Sequence, residues 1–225
     1  LSAGAAIGLS TSGAFKESVA LEKKSTLTFD AKCEGTGTAD DGTTWTVTSD
    51  AAESKYDDTK GIHYGTGSAA VSYLTLTSSS FSNKVTKVVA CVSDANKTAS
   101  ISVTVGGENF GKPQTETNYD NSPYTFTPTD SQSEEEFTGV VVVSMSRNSV
   151  KKALYCKSIV VSYDDGSSTT LTGISIGGSM SKTSYIDGEN WDSAGLTVTA
   201  TYSDESTEDV TADAKWSFNP EKPAV

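Results

Sequence analysis

A short stretch near the C-terminus alternates strictly between apolar and hydroxyl-bearing side chains. It reads LTVTATY from 196 to 202, so Leu196, Val198, Ala200 and Tyr202 lie on one side of an extended chain and three threonines lie on the other. Similar runs rich in Thr, Val, Ile and Tyr recur along the chain, whereas patterns of helical period are scarce. The sequence therefore predicts an all-β protein.

The middle of the chain carries eight such runs, separated by turn-forming residues. Gly, Asp, Asn and Ser cluster between them, for example at ADDG (39–42) and SDAN (93–96). Eight short strands at this spacing are typical of a sandwich or a jelly roll, so we predict a jelly-roll-like β-sandwich. The predicted strands are 25–32, 43–49, 69–76, 86–93, 99–105, 124–128, 139–145 and 154–163.

The alternating runs and the polar stretches divide the chain into segments. Residues 1–20 form an apolar N-terminal arm, and 21–165 form the β-sandwich domain. A polar linker follows at 166–170, within the run DDGSSTT, and 171–225 form a smaller β-domain. We therefore expect two β-domains preceded by an arm.

The segment 171–225 contains four short motifs: LTGISI, KTSYIDGE, GLTVTATYSD and DVT. In these motifs it resembles the bacterial Ig-like repeats (group 3/4-type) of secreted surface proteins. The resemblance implies an Ig-like β-sandwich with Trp191 and Trp216 in its core. In that family a further pair of strands follows the strand that carries Trp216. We therefore expect an incomplete Ig-like domain, which either is truncated or borrows strands from elsewhere.

The middle domain contains FSNKVTKVVACVS, SISVTVGG, YTFT and KSIVVSY, in this order. In this strand patterning it resembles the jelly-roll or discoidin-like β-sandwich modules of secreted bacterial proteins. Such modules include carbohydrate-binding ones and lie beside nucleases, hydrolases or Ig-like repeats. The resemblance implies the architecture and leaves the function open, because one fold hosts many functions.

The N-terminal arm and the incomplete domain could complete each other. An Ig-like sandwich without its last strands has unpaired backbone groups along a groove. Ala5, Ala6, Ile7 and Leu9 are small and apolar enough to fill that groove by strand addition. Donation to a neighbouring chain would make these four residues subunit contacts and would build a filament. Two alternatives stay open: the chain is a fragment of a longer repeat protein, or the arm pairs within its own middle domain.

Composition and hydropathy argue against two classes of partner. The net charge of −12 and the pI near 4.5 argue against nucleic acid, whose phosphates would repel such a chain. No apolar run reaches the ~18 residues that indicate a membrane span. We therefore expect neither nucleic-acid binding nor a membrane-spanning helix.

Three cysteines, Cys33, Cys91 and Cys156, lie in or beside predicted strands. The simplest interpretation is that they are buried thiols, which pack like small apolar side chains. If one disulfide forms, we expect it between Cys33 and Cys156, because the first and last strands of a sandwich often neighbour each other.

Catalytic motifs are absent from the sequence. His63, the single histidine, lies in the loop-like segment GIHYGTG, and no nucleophile elbow, metalloprotease or P-loop motif occurs. Paired carboxylates at 40–41, 57–58 and 164–165 lie in polar, loop-like segments rather than on a rigid cleft wall. We therefore expect no enzyme, no catalytic residue and no cofactor. A structural calcium ion is compatible with the acidic loops, but no ligand set can be assigned.

Exposed aromatic side chains would be the means of binding a glycan, since their rings stack on the faces of sugars. The candidates are Tyr119 and Tyr124, which flank the polar loop NYDNSPY, and Trp45, for which core packing is the alternative.

Two hypotheses for the function follow. The first is a non-catalytic extracellular bacterial surface protein, the structural subunit of an appendage, filament or adhesin stalk. Its partners would be copies of itself or neighbouring subunits. The alternative is a carbohydrate-binding module of a larger secreted hydrolase or nuclease, with a glycan as its partner. Under both hypotheses we expect the protein to be secreted.

Overall fold

A computed structural model describes residues 5–10, 18–115, 117–182 and 192–220. Within these ranges nearly all regular structure is β, so the predicted all-β class is confirmed. Two short 3-10 helices occur at Asp130–Gln132 and Thr211–Asp213. No helix in the described part of the chain is long and apolar enough to cross a membrane. The strands are β1 (Ala5–Ser10), β2 (Ser18–Thr28), β3 (Thr36–Thr38), β4 (Thr44–Ser49), β5 (Ser54–Asp57), β6 (Gly61–Tyr64), β7 (Val71–Phe81), β8 (Val85–Asp94), β9 (Ser100–Val105), β10 (Glu108–Asn109), β11 (Pro123–Phe126), β12 (Gly139–Val150), β13 (Leu154–Gly178), β14 (Leu196–Tyr202), β15 (Thr207–Asp209) and β16 (Lys215–Pro220).

Residue contacts divide the chain into two units. One unit is 22–166, and the other combines 1–21 with 167–225. The N-terminal residues, which we expected to form an arm of their own, therefore group with C-terminal residues. The linker expected at 166–170 lies inside β13. Its Ser and Thr residues are as compatible with an exposed strand as with a linker, and composition alone does not separate the two.

The unit 22–166 contains two antiparallel sheets. The first, the six-stranded sheet, has the order β10-β9-β12-β7-β4-β3. The second, the β13 sheet, has β8 on one side of β13 and β6 on the other. Strand β11 pairs with β8, β5 pairs with β6, and β2 also pairs with β13.

Alternate residues of the two sheets meet in a single core. Val47, Leu76 and Val143 of the six-stranded sheet belong to the same buried cluster as Val88 and Ile159 of the β13 sheet. Two sheets that share one core in this way form a β-sandwich. The predicted β-sandwich is therefore confirmed.

Trp45 belongs to this core. Its side chain is 1% exposed, and it alternates with the exposed Thr44 and Thr46 along β4. The interpretation of Trp45 as a ligand-binding residue is therefore wrong. Strand alternation turns the ring inward, where a glycan cannot reach it.

All three cysteines are free thiols. Cys33 and Cys156 are buried, whereas Cys91 is partly exposed. The Cys33 thiol donates to the carbonyl of Thr36 at 3.1 Å, and burial raises the pKa of both Cys33 and Cys156. The conditional Cys33–Cys156 disulfide is thus not formed. The simpler interpretation of buried thiols is confirmed for Cys33 and Cys156, whereas Cys91 is a partly exposed thiol.

A buried ion pair fixes the turn between β8 and β9. The carboxylate of Asp94 accepts hydrogen bonds from the backbone N–H groups of Asn96 and Thr98, each at 2.7 Å, and of Ala99 at 2.8 Å. Arg147 of β12 pairs with the same carboxylate, and both side chains are 0% exposed. The guanidinium also donates to a backbone carbonyl of β7 at 3.4 Å. Two buried charges are therefore matched with each other and with backbone groups.

The second unit is smaller. The later residues of β13 pair with β14, and β14 pairs with β15. The alternation seen in the sequence of β14 gives this unit a small core of its own, formed by Val198, Ala200, Tyr202 and Val210.

Strand β1 pairs with β16 of the same chain. The antiparallel register runs from Ala5 opposite Pro220 to Ser10 opposite Lys215. The N-terminal strand thus pairs within its own chain, but with β16 rather than with a strand of the 21–165 domain. Trp191, expected in the core of this unit, lies outside the described residues, and Trp216 is described only as part of the backbone of β16.

Candidate functional site

Three aromatic side chains meet on the outer side of the β13 sheet. The ring centroids of His63 and Tyr155 are 4.8 Å apart, and the rings are tilted by 38°. Tyr119 meets Tyr155 edge to face, with centroids 6.0 Å apart and an angle of 70°. Both separations lie in the range in which aromatic pairs attract each other. We call His63, Tyr119 and Tyr155 the aromatic cluster.

Strand alternation turns two of these rings outward. His63 lies directly opposite Tyr155 in the ladder between β6 and β13. The residues on either side of them are buried in the core: Ile62, Tyr64, Leu154 and Cys156. Because successive strand residues point to opposite faces, His63 and Tyr155 face away from the core. The loop expected around His63 is therefore a strand. This strand is only four residues long. One glycine begins it and another follows it, and because glycines are typical of turns the segment resembles a loop in sequence.

Tyr119 reaches the cluster from a loop that hydrogen bonds hold in place. The Asn118 carbonyl accepts a hydrogen bond at 2.9 Å from a backbone N–H at the end of β8. The Asn118 N–H donates to the Tyr124 hydroxyl at 2.6 Å. Asn121 Nδ2 donates to the carbonyl of Thr59 at 3.2 Å. Tyr119, 39% exposed, is therefore held in position before any ligand arrives, which lowers the entropy cost of binding.

A lysine lies over the face of Tyr119. The Lys60 ammonium is 4.2 Å from the ring centroid, within the range of a cation–π contact. Asp57 fixes the turn that carries this lysine, because its carboxylate accepts hydrogen bonds from the N–H groups of Thr59 at 2.9 Å and of Lys60 at 2.8 Å. The bond from the Lys60 N–H is the main reason that the pKa of Asp57 lies below its ordinary value. The cluster thus has a cation at its rim and a nearby carboxylate engaged by the backbone.

The hydroxyl of Tyr155 stays protonated at neutral pH. Burial raises the pKa of Tyr155 to about 12, and the neighbouring Tyr119 adds to this shift. A protonated phenol both donates and accepts hydrogen bonds. The middle ring of the cluster is therefore uncharged and has a polar tip.

Gly61 allows β6 to lie close to β13, and we expect its replacement by alanine to lower the free energy of unfolding by about 2–4 kcal/mol. Gly61 has a φ of +76°, and a Cβ there would overlap the carbonyl oxygen of Cys156 and lie 2.7 Å from the Cα of Lys157. Gly42→Ala is the matched control, because Gly42 has a φ of +90° but open space around it. Urea unfolding of both variants measures the difference. Equal losses of unfolding free energy in the two variants would show that the close approach of β6 and β13 does not contribute to the cost of Gly61→Ala.

His63 makes stability depend on pH near neutrality. Burial lowers the pKa of His63 from its ordinary 6.5, so the unfolded chain binds the proton more readily than the folded one. The stabilising contribution is therefore present above pH 6.5 and is lost as the pH falls towards the lowered pKa. We expect the free energy of unfolding to fall between pH 7.5 and about 5.5, and His63→Gln to remove that slope. If the pH dependence of the free energy of unfolding persists in His63→Gln, groups other than His63 cause it.

The sequence identified one of the three ring residues. Tyr119 lies in the cluster. Tyr124 lies close by, but its ring packs against the core and its hydroxyl holds the Tyr119 loop. His63 and Tyr155 were not identified as ligand candidates. The sequence does indicate the direction of Tyr155. Its neighbours in the run LYC are apolar, so alternation along the strand places Tyr155 on the face opposite to theirs.

A separate surface cleft of about 530 Å³ is lined partly by Glu34, Glu53, Tyr64 and Tyr73. Glu34 also forms an ion pair with Lys32 at 3.3 Å. Tyr64 is buried, which leaves Tyr73 as the exposed ring of the cleft. The cleft therefore lacks the paired rings of the aromatic cluster.

Two acidic side chains of the predicted loops are engaged by hydrogen bonds within the fold. Asp41 accepts hydrogen bonds from the Ser25 hydroxyl at 2.7 Å and from the Thr43 N–H at 3.0 Å, and Asp50 accepts one from the Ser72 hydroxyl at 2.6 Å. Among the residues described, no group of three or more His, Cys, Asp or Glu side chains could hold a metal ion. The structure thus identifies no ligands for a calcium ion in these ranges.

Comparison with protein family models gives no match, and none of the curated proteins matches the sequence. Among solved structures, the chain is similar to CBM29_1, a family 29 carbohydrate-binding module from Piromyces equi. The identity is 12% and the TM-score 0.42, over 63% of this chain and 91% of that one. It is also similar to a family two carbohydrate esterase from Cellvibrio japonicus, with 12% identity and a TM-score of 0.33, over 64% of this chain and 34% of that one. At these TM-scores the likenesses say nothing about ligand or activity.

Proposed function

We propose that the unit 22–166 is a carbohydrate-binding domain without catalytic activity, and that the aromatic cluster is its sugar platform. A pyranose ring has an apolar face of C–H groups and a rim of hydroxyls. The face packs on aromatic rings, and the rim needs hydrogen-bonding partners. The observation that carries the proposal is the contact between three partly exposed rings, His63, Tyr119 and Tyr155, on the outer side of one sheet.

Polar groups near the platform support the proposal. The Tyr155 hydroxyl is protonated at neutral pH, as that of an ordinary tyrosine is, and the raised pKa of this side chain extends the protonated range to higher pH. Asn121 Oδ1, in the loop that carries Tyr119, is buried without a hydrogen-bond partner in the described structure. Most buried polar atoms are satisfied, so a small shift of this loop on binding would let a ligand hydroxyl or a water molecule complete the site. Lys60, over the Tyr119 ring, supplies a further donor.

The environment of Asp57, the carboxylate that holds the Lys60 turn, supports binding without catalysis. Hydrolysis of a glycosidic bond needs two carboxyl groups on opposite sides of that bond, one of them with a raised pKa. Asp57 accepts hydrogen bonds from two backbone N–H groups, and its pKa is lowered. We therefore assign no catalytic residue.

A glycan array with the full chain tests the proposal. We expect binding to at least one soluble oligosaccharide, whose affinity isothermal titration calorimetry then measures, and we expect Tyr119→Ala to weaken it. A chain that binds no glycan would contradict the proposal. So would a chain whose affinity is unchanged in Tyr119→Ala.

We further propose that the protein acts outside the cell, since the repeats that 171–225 resembles occur in secreted surface proteins. The appendage or filament hypothesis has less support, because β1 pairs with β16 within one chain. A role for Ala5, Ala6, Ile7 and Leu9 in contacts between chains stays a prediction. Electron microscopy of the purified protein tests it: filaments would support strand donation, and discrete particles would contradict it.

A further inference from the structure

Outward side chains of the six-stranded sheet form continuous rows across its strands. In the first row each residue lies opposite the next in the strand ladders: Thr36, Thr46, Thr77, Val142 and Thr104. The row crosses β3, β4, β7, β12 and β9. Neighbouring strands lie ~4.8 Å apart, so the hydroxyls of Thr36, Thr46 and Thr77 recur at about that spacing. Val142 separates them from the hydroxyl of Thr104.

A second row runs parallel to the first, two residues along each strand. Its members are Thr48, Thr75, Ser144 and Ser102, again opposite one another in the ladders. The hydroxyls of Thr75 and Ser144 are 3.1 Å apart and share a hydrogen bond. We call these two rows the hydroxyl face.

The hydroxyl face points away from the core and carries no charge. The residues between the two rows, Val47, Leu76, Val143 and Val103, are buried, so the rows themselves face outward. Charged residues make up 20% of the chain, whose net charge is −12, yet none of the nine positions in the two rows is charged. Two uncharged rows, with hydroxyl groups at eight of their nine positions, therefore cross this sheet of a strongly acidic protein.

We propose that the hydroxyl face binds an uncharged, extended polysaccharide whose chain runs across the strands. Hydroxyl groups both donate and accept hydrogen bonds, so each row can pair with the hydroxyls of successive sugars. A charged partner would lose hydration on this face and would find no opposite charge there. The spacing between strands is close to the length of one sugar unit in an extended polymer, so successive sugars meet equivalent positions. This surface is on the sheet that does not carry the aromatic cluster, and the proposal does not depend on that cluster.

Depletion of the full chain by insoluble, uncharged polysaccharides such as cellulose, chitin and mannan tests this proposal. We expect at least one of these polymers to remove the protein from solution. The double variant Thr46→Lys/Thr48→Lys places one charge in each row and should weaken that binding at least tenfold. Its matched control is Thr28→Lys/Thr125→Lys, in which two exposed threonines on strands of the β13 sheet receive the same added charge. The control should bind like the unchanged protein.

Three outcomes would overturn the proposal. The first is that no polymer depletes the unchanged protein, and the second is that the two lysine double variants bind equally. The third is that analytical ultracentrifugation shows a dimer which Thr46→Lys/Thr48→Lys dissociates, because the face would then bind a second copy.

Tyr155→Ala distinguishes binding at the hydroxyl face from binding at the aromatic cluster. We expect it to keep polymer binding and to lose soluble oligosaccharides, and a loss of polymer binding in Tyr155→Ala alone would assign that binding to the cluster.

Discussion

Arg147→Met is expected to lower the free energy of unfolding by about 3–5 kcal/mol, because it leaves the carboxylate of Asp94 buried without its cation. Both side chains are 0% exposed, so solvent does not screen the charge that remains. The variant also removes the guanidinium hydrogen bonds to the carbonyls of Val71 and Lys152. Urea unfolding followed by tryptophan fluorescence measures the loss, since Trp45 lies in the core of the β-sandwich.

Two further variants isolate the effect of burial. Lys84→Met removes the cation of an exposed pair, in which Lys84 and Glu136 lie 2.8 Å apart with side chains 27% and 72% exposed. We expect this change to cost less than about 1 kcal/mol. Adding Asp94→Asn to Arg147→Met should recover part of the loss, because no unpaired charge then stays buried. If Arg147→Met costs no more than Lys84→Met, the buried pair does not stabilise the fold.

Tyr155→Ala is expected to weaken the binding of soluble oligosaccharides by at least about tenfold, or ~1.4 kcal/mol. Tyr155 is the middle ring of the aromatic cluster, in contact with both His63 and Tyr119. Its removal takes away a stacking surface, and it also removes the edge contact that helps to orient Tyr119. Tyr155→Phe keeps the ring and loses the hydroxyl, so its affinity should lie between those of Tyr155→Ala and the unchanged protein. Isothermal titration calorimetry with the best soluble glycan of the array measures all three.

Tyr73→Ala is the matched control for this loss. Tyr73 is 37% exposed and lies on β7 of the six-stranded sheet, away from the aromatic cluster. We expect it to leave the affinity for soluble oligosaccharides unchanged. If Tyr73→Ala weakens binding as much as Tyr155→Ala does, the platform lies elsewhere, and the cleft that Tyr73 lines becomes the candidate.

Alternation along a strand predicts whether a residue points towards the core or away from it. Trp45 and Tyr155 are two examples. Trp45 shares a face with the apolar Val47, a pattern typical of core packing, and the ring is indeed buried. Tyr155 lies between Leu154 and Cys156, so the same rule places it outward. The fold class, which depends on this rule, follows from the sequence. The linker at 166–170 shows the limit, because a polar run forms an exposed strand as readily as a loop.

Contacts between segments that are distant in the chain cannot be predicted from local sequence patterns. His63, Tyr119 and Tyr155 come from a four-residue strand, a loop and a long strand, and only the pairing of β6 with β13 and the hydrogen bonds of the loop bring them together. Asp94 and Arg147 are likewise 53 residues apart. The rows of the hydroxyl face also depend on register, which relates strands rather than neighbours in sequence.

The single histidine gives the most direct test of the central claim, that sugars bind at the aromatic cluster. His63 is the only histidine of the chain, so its imidazole Hε1 proton is one resolved reporter in a proton NMR spectrum. We expect titration with the best soluble oligosaccharide to shift this resonance in step with the binding measured by calorimetry, because a sugar stacked on the cluster displaces water from His63 and changes the environment of its ring. A glycan that binds in the calorimeter while the His63 resonance stays fixed would contradict the claim.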